Sequence, residues 1–238
     1  MLEMTVGEVV AQNIKSAEVF YKHKIDFCCK GNIKVADVAA KKNIDANLLI
    51  SELESILKEK VSDDFKSYSN YDLIEDIVNK HHKYVTESIE LLTPLVNKVA
   101  RVHGAEHPEL LTIKEMFFES AEELKSHMAR EEGVLFPFIN VLTLAVKDNV
   151  AIEKPHFATV NNPIARMMEE HSNEGERFET IQELSNDFNP PESACNTYRF
   201  VYSKLQEFQK DLHEHIHKEN NILFPRAAEL EKKVTFLN

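Results

Sequence analysis

The segment His127-Met-Ala-Arg-Glu131-Glu-Gly-Val-Leu-Phe-Pro137 returns 88 residues later as His215-Ile-His-Lys-Glu219-Asn-Asn-Ile-Leu-Phe-Pro225. In each copy a His and a Glu stand four apart, so on a helix both side chains leave one face, one turn above the other. The flanking periodicity turns that face inward. Ile113, Phe117, Ser120, Leu124, His127, Glu131, Val134 and Phe138 follow one another at steps of three and four, the seam of a helix packed against partners. Tyr198, Val201, Leu205, Phe208, Leu212, His215, Glu219 and Ile222 repeat the alternation. His213 and His217 fall off this second seam and are expected to face water.

An imidazole and a carboxylate buried one turn apart cost on the order of several kcal/mol each unless something compensates them. For a single pair, a His–Glu hydrogen-bond network accounts for this as well as a metal does. Two pairs with the same flanks favour a metal held between helices.

The rest of the chain supplies those helices. Val78, His82, Val85, Ile89, Leu92, Val96 and Val99 form a seam over a helix expected from about 72 to 101, with His82 upon it, His81 beside it and a kink expected at Pro94. Gly104 and Pro108 close that helix and open the next, expected from 109 to 146 with a bend at Pro137. His103 and His107 sit in the turn. At 1.5 Å rise per residue, His127 lies roughly 27 Å from its helix start and His82 a similar distance from its helix end, so these two share a level that the turn histidines do not reach. Pro163 is expected as the first residue of a third helix, whose inner face is Ile164, Met167, Met168, His171, Phe178, Ile181 and Leu184. Glu170 reads either as a supporting partner of His171 or as surface charge, with surface favoured; Cys195 reads as packing, and the tail after Pro225 as exposed terminal turns.

Before this four-helix bundle, residues 1–60 read as a small helical domain. Thr5 and Glu8 have capping-box spacing, and one helix is expected to end near His23, with further helices at 34–42 and 46–59, the last capped by Asp45. Between them runs Lys24-Ile-Asp-Phe-Cys28-Cys29-Lys-Gly31-Asn32. Adjacent cysteines rarely join to each other and do not by themselves complete a four-ligand metal site. As small buried hydrophobes they need no explanation; thiolate chemistry would require exposure and nearby positive charge, which Lys24 and Lys30 offer. Residues 61–70 are polar and aperiodic and read as a linker, leaving 71–238 for the bundle.

Composition sets the outer limits. With 28 basic and 40 acidic residues among 238, a net charge of -12, five glycines and no tryptophan, the chain suits an all-α protein and argues against nucleic-acid or anionic-membrane surfaces. The longest uncharged run, Val134 to Val146, contains a proline and is too short to cross a bilayer. Three cysteines do not make an extracellular disulfide framework, and the amino terminus lacks a secretory pattern, so a cytoplasmic protein is expected.

His82, His127, Glu131, His171, His215 and Glu219 at one level of a bundle are too many ligands for one tetrahedral zinc; they suit two metals bridged by carboxylates, with iron favoured and manganese or zinc able to substitute. Helix-borne His, then His-x-x-x-Glu, then His, then His-x-x-x-Glu resembles the hemerythrin-like domain. Asp26-Phe-Cys28-Cys29 after a short helix resembles the amino-terminal domain of the iron-sulfur cluster repair di-iron proteins, and the combined order over almost the whole chain is similar to that family. Two departures stand out: Lys30-Gly31 replaces the usual pair of glycines, and Gly175 stands where oxygen-carrying hemerythrins have a further His.

The resemblance implies a non-haem centre of two iron ions in a protein that repairs iron-sulfur clusters damaged by nitric oxide or oxidants, by donating iron, by reacting with nitric oxide, or both. It implies that Cys28 and Cys29 contact the client, relay electrons or hold released metal, that damaged iron-sulfur proteins are partners, and that nitric oxide or oxygen is the small ligand. It leaves open whether the protein turns over like a nitric oxide reductase or donates iron stoichiometrically, and whether it forms a homodimer. The competing reading is a hemerythrin-like oxygen or iron sensor, with a stable oxygen adduct and no need of the cysteines.

Overall fold

The structure, a computed structural model, describes residues 1–57 and 65–237, so residues 58–64 of the expected last amino-terminal helix and linker lie outside the described residues. The protein is all-α: no strand occurs among the described residues, only isolated bridges joining Thr5 to Lys34 and Ile152 to Phe236. Its helices are α1 (Val6–Gln12), α2 (Ser16–Lys22), α3 (Val35–Lys41), α4 (Ala46–Leu57), α5 (Asn70–Asp76), α6 (Lys83–His103), α7 (Glu109–Arg130), α8 (Phe136–Asp148), α9 (Asn161–Leu184), α10 (Asn196–Lys218) and α11 (Phe224–Glu231). Three wide π turns, Ile77–His82, Glu131–Leu135 and Glu219–Leu223, join α5 to α6, α7 to α8 and α10 to α11 without a break in the helical path. The chain forms two compact units, one of residues 1–75, 138–164 and 213–238, the other of residues 76–137 and 165–212.

In the second unit four helical segments bury the seams expected of them. Val85, Ile89, Leu92, Val96 and Val99 from α6, Ile113, Phe117 and Leu124 from α7, Phe178 and Ile181 from α9, and Tyr198, Val201, Leu205 and Phe208 from α10 are all buried. Phe208 is the hub: it stacks on Phe178 at 5.2 Å between centroids and takes the edge of Phe117 at 6.0 Å. Fully burying each such side chain contributes about 1.5–3 kcal/mol. On α9, Met168 is exposed rather than inward, and buried Glu174 occupies the next inner turn after His171.

The π turns change the register. Each of the last two ends just before a Phe-Pro step, and a proline lacks the N–H that an α-helix would use and crowds the carbonyl four residues back, so the backbone widens. The extra residue advances the inner face by one position. Val134, on the expected seam, is exposed, while Leu135 and Ile139 are buried. The same displacement buries Ile77 instead of the expected Val78. Pro94 stays inside α6; the departure from α geometry falls at Ile77–His82.

The first unit holds α1 to α5 with residues 138–164 and 213–237. Thr5 and Glu8 make the expected capping box, with Glu8 N donating to Thr5 Oγ1 at 3.2 Å and Thr5 N donating to Glu8 Oε2 at 2.8 Å. The single helix expected up to His23 is two, because Asn13 turns the chain: its backbone is extended, its side-chain oxygen accepts from Lys15 N at 3.0 Å, and its amide donates to Ile56 O. Asp45 caps α4 through Asn47 N at 2.8 Å.

Residues 65–69 are not a free tether. Phe65 is buried beneath the ammonium of Lys218, 4.0 Å from its ring centre, and Arg226 donates to the carbonyls of Tyr68 and Lys66 at 2.8 and 2.9 Å. The tail is likewise packed rather than exposed: Phe224 and Ala227 of α11 are buried, and Glu231 accepts from Thr159 Oγ1 and Val160 N just ahead of α9, which begins at Asn161, before the expected Pro163. No helix among the described residues is long and apolar enough to cross a membrane.

Candidate metal centre

In the second unit, the π turns of the first two bundle helices and the middle of α9 bring four of the expected ligands together. His82, His127, Glu131 and His171 are each at most 3% exposed. The two oxygens of Glu131 face different imidazoles, Oε2 standing 3.4 Å from His82 Nε2 and Oε1 standing 3.2 Å from His127 Nε2. His171 Nε2 lies 3.0 Å from His127 Nε2. One carboxylate thus faces two histidines through separate oxygens. In the first unit, His215 and Glu219 form the second pair, 3.1 Å apart and at most 1% exposed.

Behind these imidazoles stand carboxylates. His82 Nδ1 donates to Glu132 at 2.7 Å, and His127 Nδ1 donates to Glu170 at 2.8 Å. Glu170 is not idle surface charge, as its sequence position suggests, because Arg130 and Arg166 clamp it from the other side at 2.7 and 3.0 Å. Burial alone would push the Glu170 carboxyl up, but the hydrogen bonds from His127, Arg130 and Arg166 outweigh it and carry it down to about 2. His81 is committed elsewhere, its Nδ1 bonded to Asp211 at 2.8 Å, and it is His82 that the structure brings to Glu131.

These contacts test whether a metal suits the pocket. An ionised carboxylate only accepts, so Glu132 and Glu170 fix the proton on Nδ1 of their histidines. In the neutral ring Nε2 then carries a lone pair, and in both cases it points at an oxygen of Glu131, acceptor against acceptor. Either a second proton on each ring or a cation between them removes the conflict. Imidazole held by carboxylate from behind with its free nitrogen inward is also the usual outer support of a metal ligand. The donor set therefore fits a cation bound through nitrogen and carboxylate oxygen. A groove of about 380 Å³, lined by Val78, His82, Thr86, Glu87, Glu90 and Glu132, reaches this cluster from solvent.

A further buried carboxylate was not legible in the sequence. Glu174 accepts from Ser120 and pairs with Arg177, which also reaches Glu123 at 2.8 Å. Burial raises the Glu174 carboxyl against the opposing pull of Ser120 and Arg177. The only available signal was Ser120, a polar residue on an apolar seam. Cys195, read as packing, is instead exposed and lies 3.3 Å from His103 Nε2, while His107 pairs with Glu109 at 3.3 Å.

The cysteine loop belongs to the first unit, where it is built onto the π turn that begins at Glu219. Asn221 donates to the carbonyls of Phe27 and Cys28, both at 3.3 Å, and Asn220 donates to Cys28 O at 3.4 Å. A Cβ at Gly31 would stand 2.5 Å from Phe27 O and 2.7 Å from Asn221 Oδ1, and one at Gly7 would stand 2.5 Å from Asn221 Oδ1. A side chain at position 31 would thus be crowded, whereas Lys30 beside it is exposed.

The loop agrees with the reading of small buried thiols and, among the described residues, lacks the two conditions, full exposure and an adjacent positive charge, that thiolate chemistry would require. Cys28 is buried and Cys29 half-buried, and the charge fixed against them is the carboxylate of Asp26 rather than an ammonium. The Cys29 thiol, burial and Asp26 together hold the Cys28 thiol well above its ordinary range. His217, expected in water, is fully buried against Phe27 at 6.0 Å, and His213 is half-buried against the same ring at 5.8 Å. The loop covers the off-seam face of α10, which the periodicity of one helix does not reveal.

An all-helical bundle whose inner turns carry His and Glu in this order defines a cation-binding domain of the hemerythrin type. The family model described as the hemerythrin HHE cation binding domain matches residues 73–227, and the chain belongs to that family. A second model, described as a domain of unknown function (DUF542), matches residues 2–57. Among curated proteins, the chain is 32% identical to the iron-sulfur cluster repair protein ScdA of Staphylococcus haemolyticus, over 95% of this chain and 98% of that one. It is 34% identical to the iron-sulfur cluster repair protein YtfE of Yersinia pseudotuberculosis, over 94% of this chain and 96% of the relative.

Proposed function

We propose that this protein repairs iron-sulfur clusters damaged by nitric oxide or oxidants, and that His82, His127, Glu131, His171, His215 and Glu219 together hold two iron ions. Similarity to two repair proteins over nearly the whole chain supports the activity. The observation that carries the repair reading is the attachment of Cys28 to Asn220 and Asn221, immediately after Glu219. A simple oxygen-binding bundle has no use for a thiol loop fastened to its last ligand turn.

In this reading residues 1–60 present the thiols and residues 71–238 hold the metal. Glu131 spans two binding positions with its two oxygens, Glu132 and Glu170 aim His82 and His127, and the groove beside Glu87 and Glu90 admits a small ligand or a cation. When bound, iron supplies electrons and open positions for a diatomic ligand such as nitric oxide or oxygen. Cys28 and Cys29 face the client, a cytoplasmic iron-sulfur protein. The test is a hydratase whose four-iron cluster has been damaged by nitric oxide. Iron-loaded protein should restore its activity, and the Glu131→Leu variant should not; a wild-type protein that restores nothing, or an equally effective Glu131→Leu variant, overturns the proposal.

A further inference from the structure

The cysteine loop holds donor atoms that the His and Glu ligands leave unused. One ligand atom each from Asp26, Cys28 and Cys29 lie within 4.8 Å of one another. The two sulfurs are 3.7 Å apart, and Asp26 Oδ1 is 3.3 Å from Cys28 Sγ. A disulfide requires about 2.05 Å between sulfurs, so this pair is not poised to close. Two thiolates each about 2.3 Å from one tetrahedral ion, by contrast, stand about 3.8 Å apart. The separation seen, a thiol–thiol contact in the free loop, also fits two ligands on one ion.

The cluster is also built. Asp26 Oδ1 accepts from Cys28 N at 3.0 Å and Cys29 N at 2.9 Å, which fixes the carboxylate over the thiols. The carbonyls of Phe27 and Cys28 are tied to Asn220 and Asn221, so the loop cannot swing the sulfurs apart without breaking these bonds. His217 packs on Phe27 from beneath, its Nδ1 3.1 Å from the Asn221 amide. The buried Cys28 and half-buried Cys29 leave one side open to solvent.

We propose that Asp26, Cys28 and Cys29 form a separate binding site for one thiophilic divalent cation of the iron(II) or zinc(II) kind, with three protein ligands and an open fourth position. Structural thiolate sites close their fourth position with a protein ligand, whereas a three-ligand site leaves it to water or an incoming ligand. This rests on the repair reading for its purpose, as a station for metal entering or leaving the protein, but not for its existence. Binding displaces one proton from each thiol and leaves the ion with two thiolates and one carboxylate. Affinity therefore falls as pH falls.

Cobalt(II) added to the metal-free, reduced, full-length protein tests the site, because sulfur-to-cobalt charge transfer absorbs where nitrogen and oxygen ligation does not. The expected result is a charge-transfer band with the intensity of one thiolate-bound cobalt per chain, lost in Cys28→Ser and in Cys29→Ser, weakened at least about 10-fold in affinity by Asp26→Asn, and retained in Cys195→Ser and in Glu131→Leu. Absence of the band from folded protein with all three thiols reduced overturns the proposal, as does a band that survives both loop substitutions. Circular dichroism melting shows whether each variant is folded. Failure to reactivate a damaged hydratase, which would sink the repair reading, leaves this band untouched.

Discussion

Glu170 accepts a hydrogen bond from His127 Nδ1 at 2.8 Å and thereby turns the other nitrogen of that imidazole toward Glu131. Two arginines hold Glu170 in place, so the orientation of a buried ring is set by an acid on the neighbouring helix.

Glu170→Gln should therefore weaken metal binding with the six inner residues intact. Loss of a carboxylate behind a ligating histidine costs about 10–100-fold in affinity. Competition with a chelator for bound iron measures it; unchanged affinity would show that His127 is aimed by something else.

The acceptor conflict at Glu131 predicts that metal stabilises the fold. A ligand bound only by the native state adds about 2.7 kcal/mol at 100 times its dissociation constant. The metal-free protein should melt lower than the iron- or zinc-loaded protein, and the difference should shrink in Glu131→Leu and vanish when Cys28→Ser is added to it. Identical melting with and without metal in the wild type would contradict the pocket geometry.

Gly31→Ala should destabilise the protein by roughly 1–3 kcal/mol in urea unfolding, the usual cost of overpacking, because its Cβ would meet Phe27 O and Asn221 Oδ1. Lys30→Gly, at an exposed neighbour, should shift the midpoint by less than about 0.5 kcal/mol beyond the entropic cost of glycine. If alanine at 31 is silent, Asn221 does not anchor the loop as described.

Glu174 gives a pH signature. Its folded carboxyl is raised above 4.5 by burial. A raised group contributes stability that is fully present below its unfolded pKa and is lost as pH rises through the folded value. Glu174→Gln keeps an acceptor for Ser120 and removes this titration. The variant should gain on the wild type as pH climbs from about 4.5 through the raised value and run parallel to it above. Parallel stability curves across that window would mean that Arg177 and Ser120 fully offset the burial.

What the sequence determined by itself was local. Steps of three and four mark one face of a helix wherever the chain is regular, so the seams through His127 and His215, the capping box at Thr5 and the all-α class are readable from residue order. Regularity fails at the π turns, and there the reading slipped: Val134 gave way to Leu135, and Val78 to Ile77, by the one residue that each wide turn inserts. The Phe-Pro steps were visible, but their effect on register was not, since it depends on whether packing absorbs the strain as a kink or as a widened turn. The adjacent histidines show the same limit, for only the rotation of one helix against its neighbours sends His81 to Asp211 and His82 to Glu131. Partners from other helices, Glu170 behind His127 and Ser120 against Glu174, and the cover that buries His217, arise from contacts between segments far apart in the chain. Helical period fixes where a side chain leaves its own axis; what it then meets is decided by the packing of the other helices.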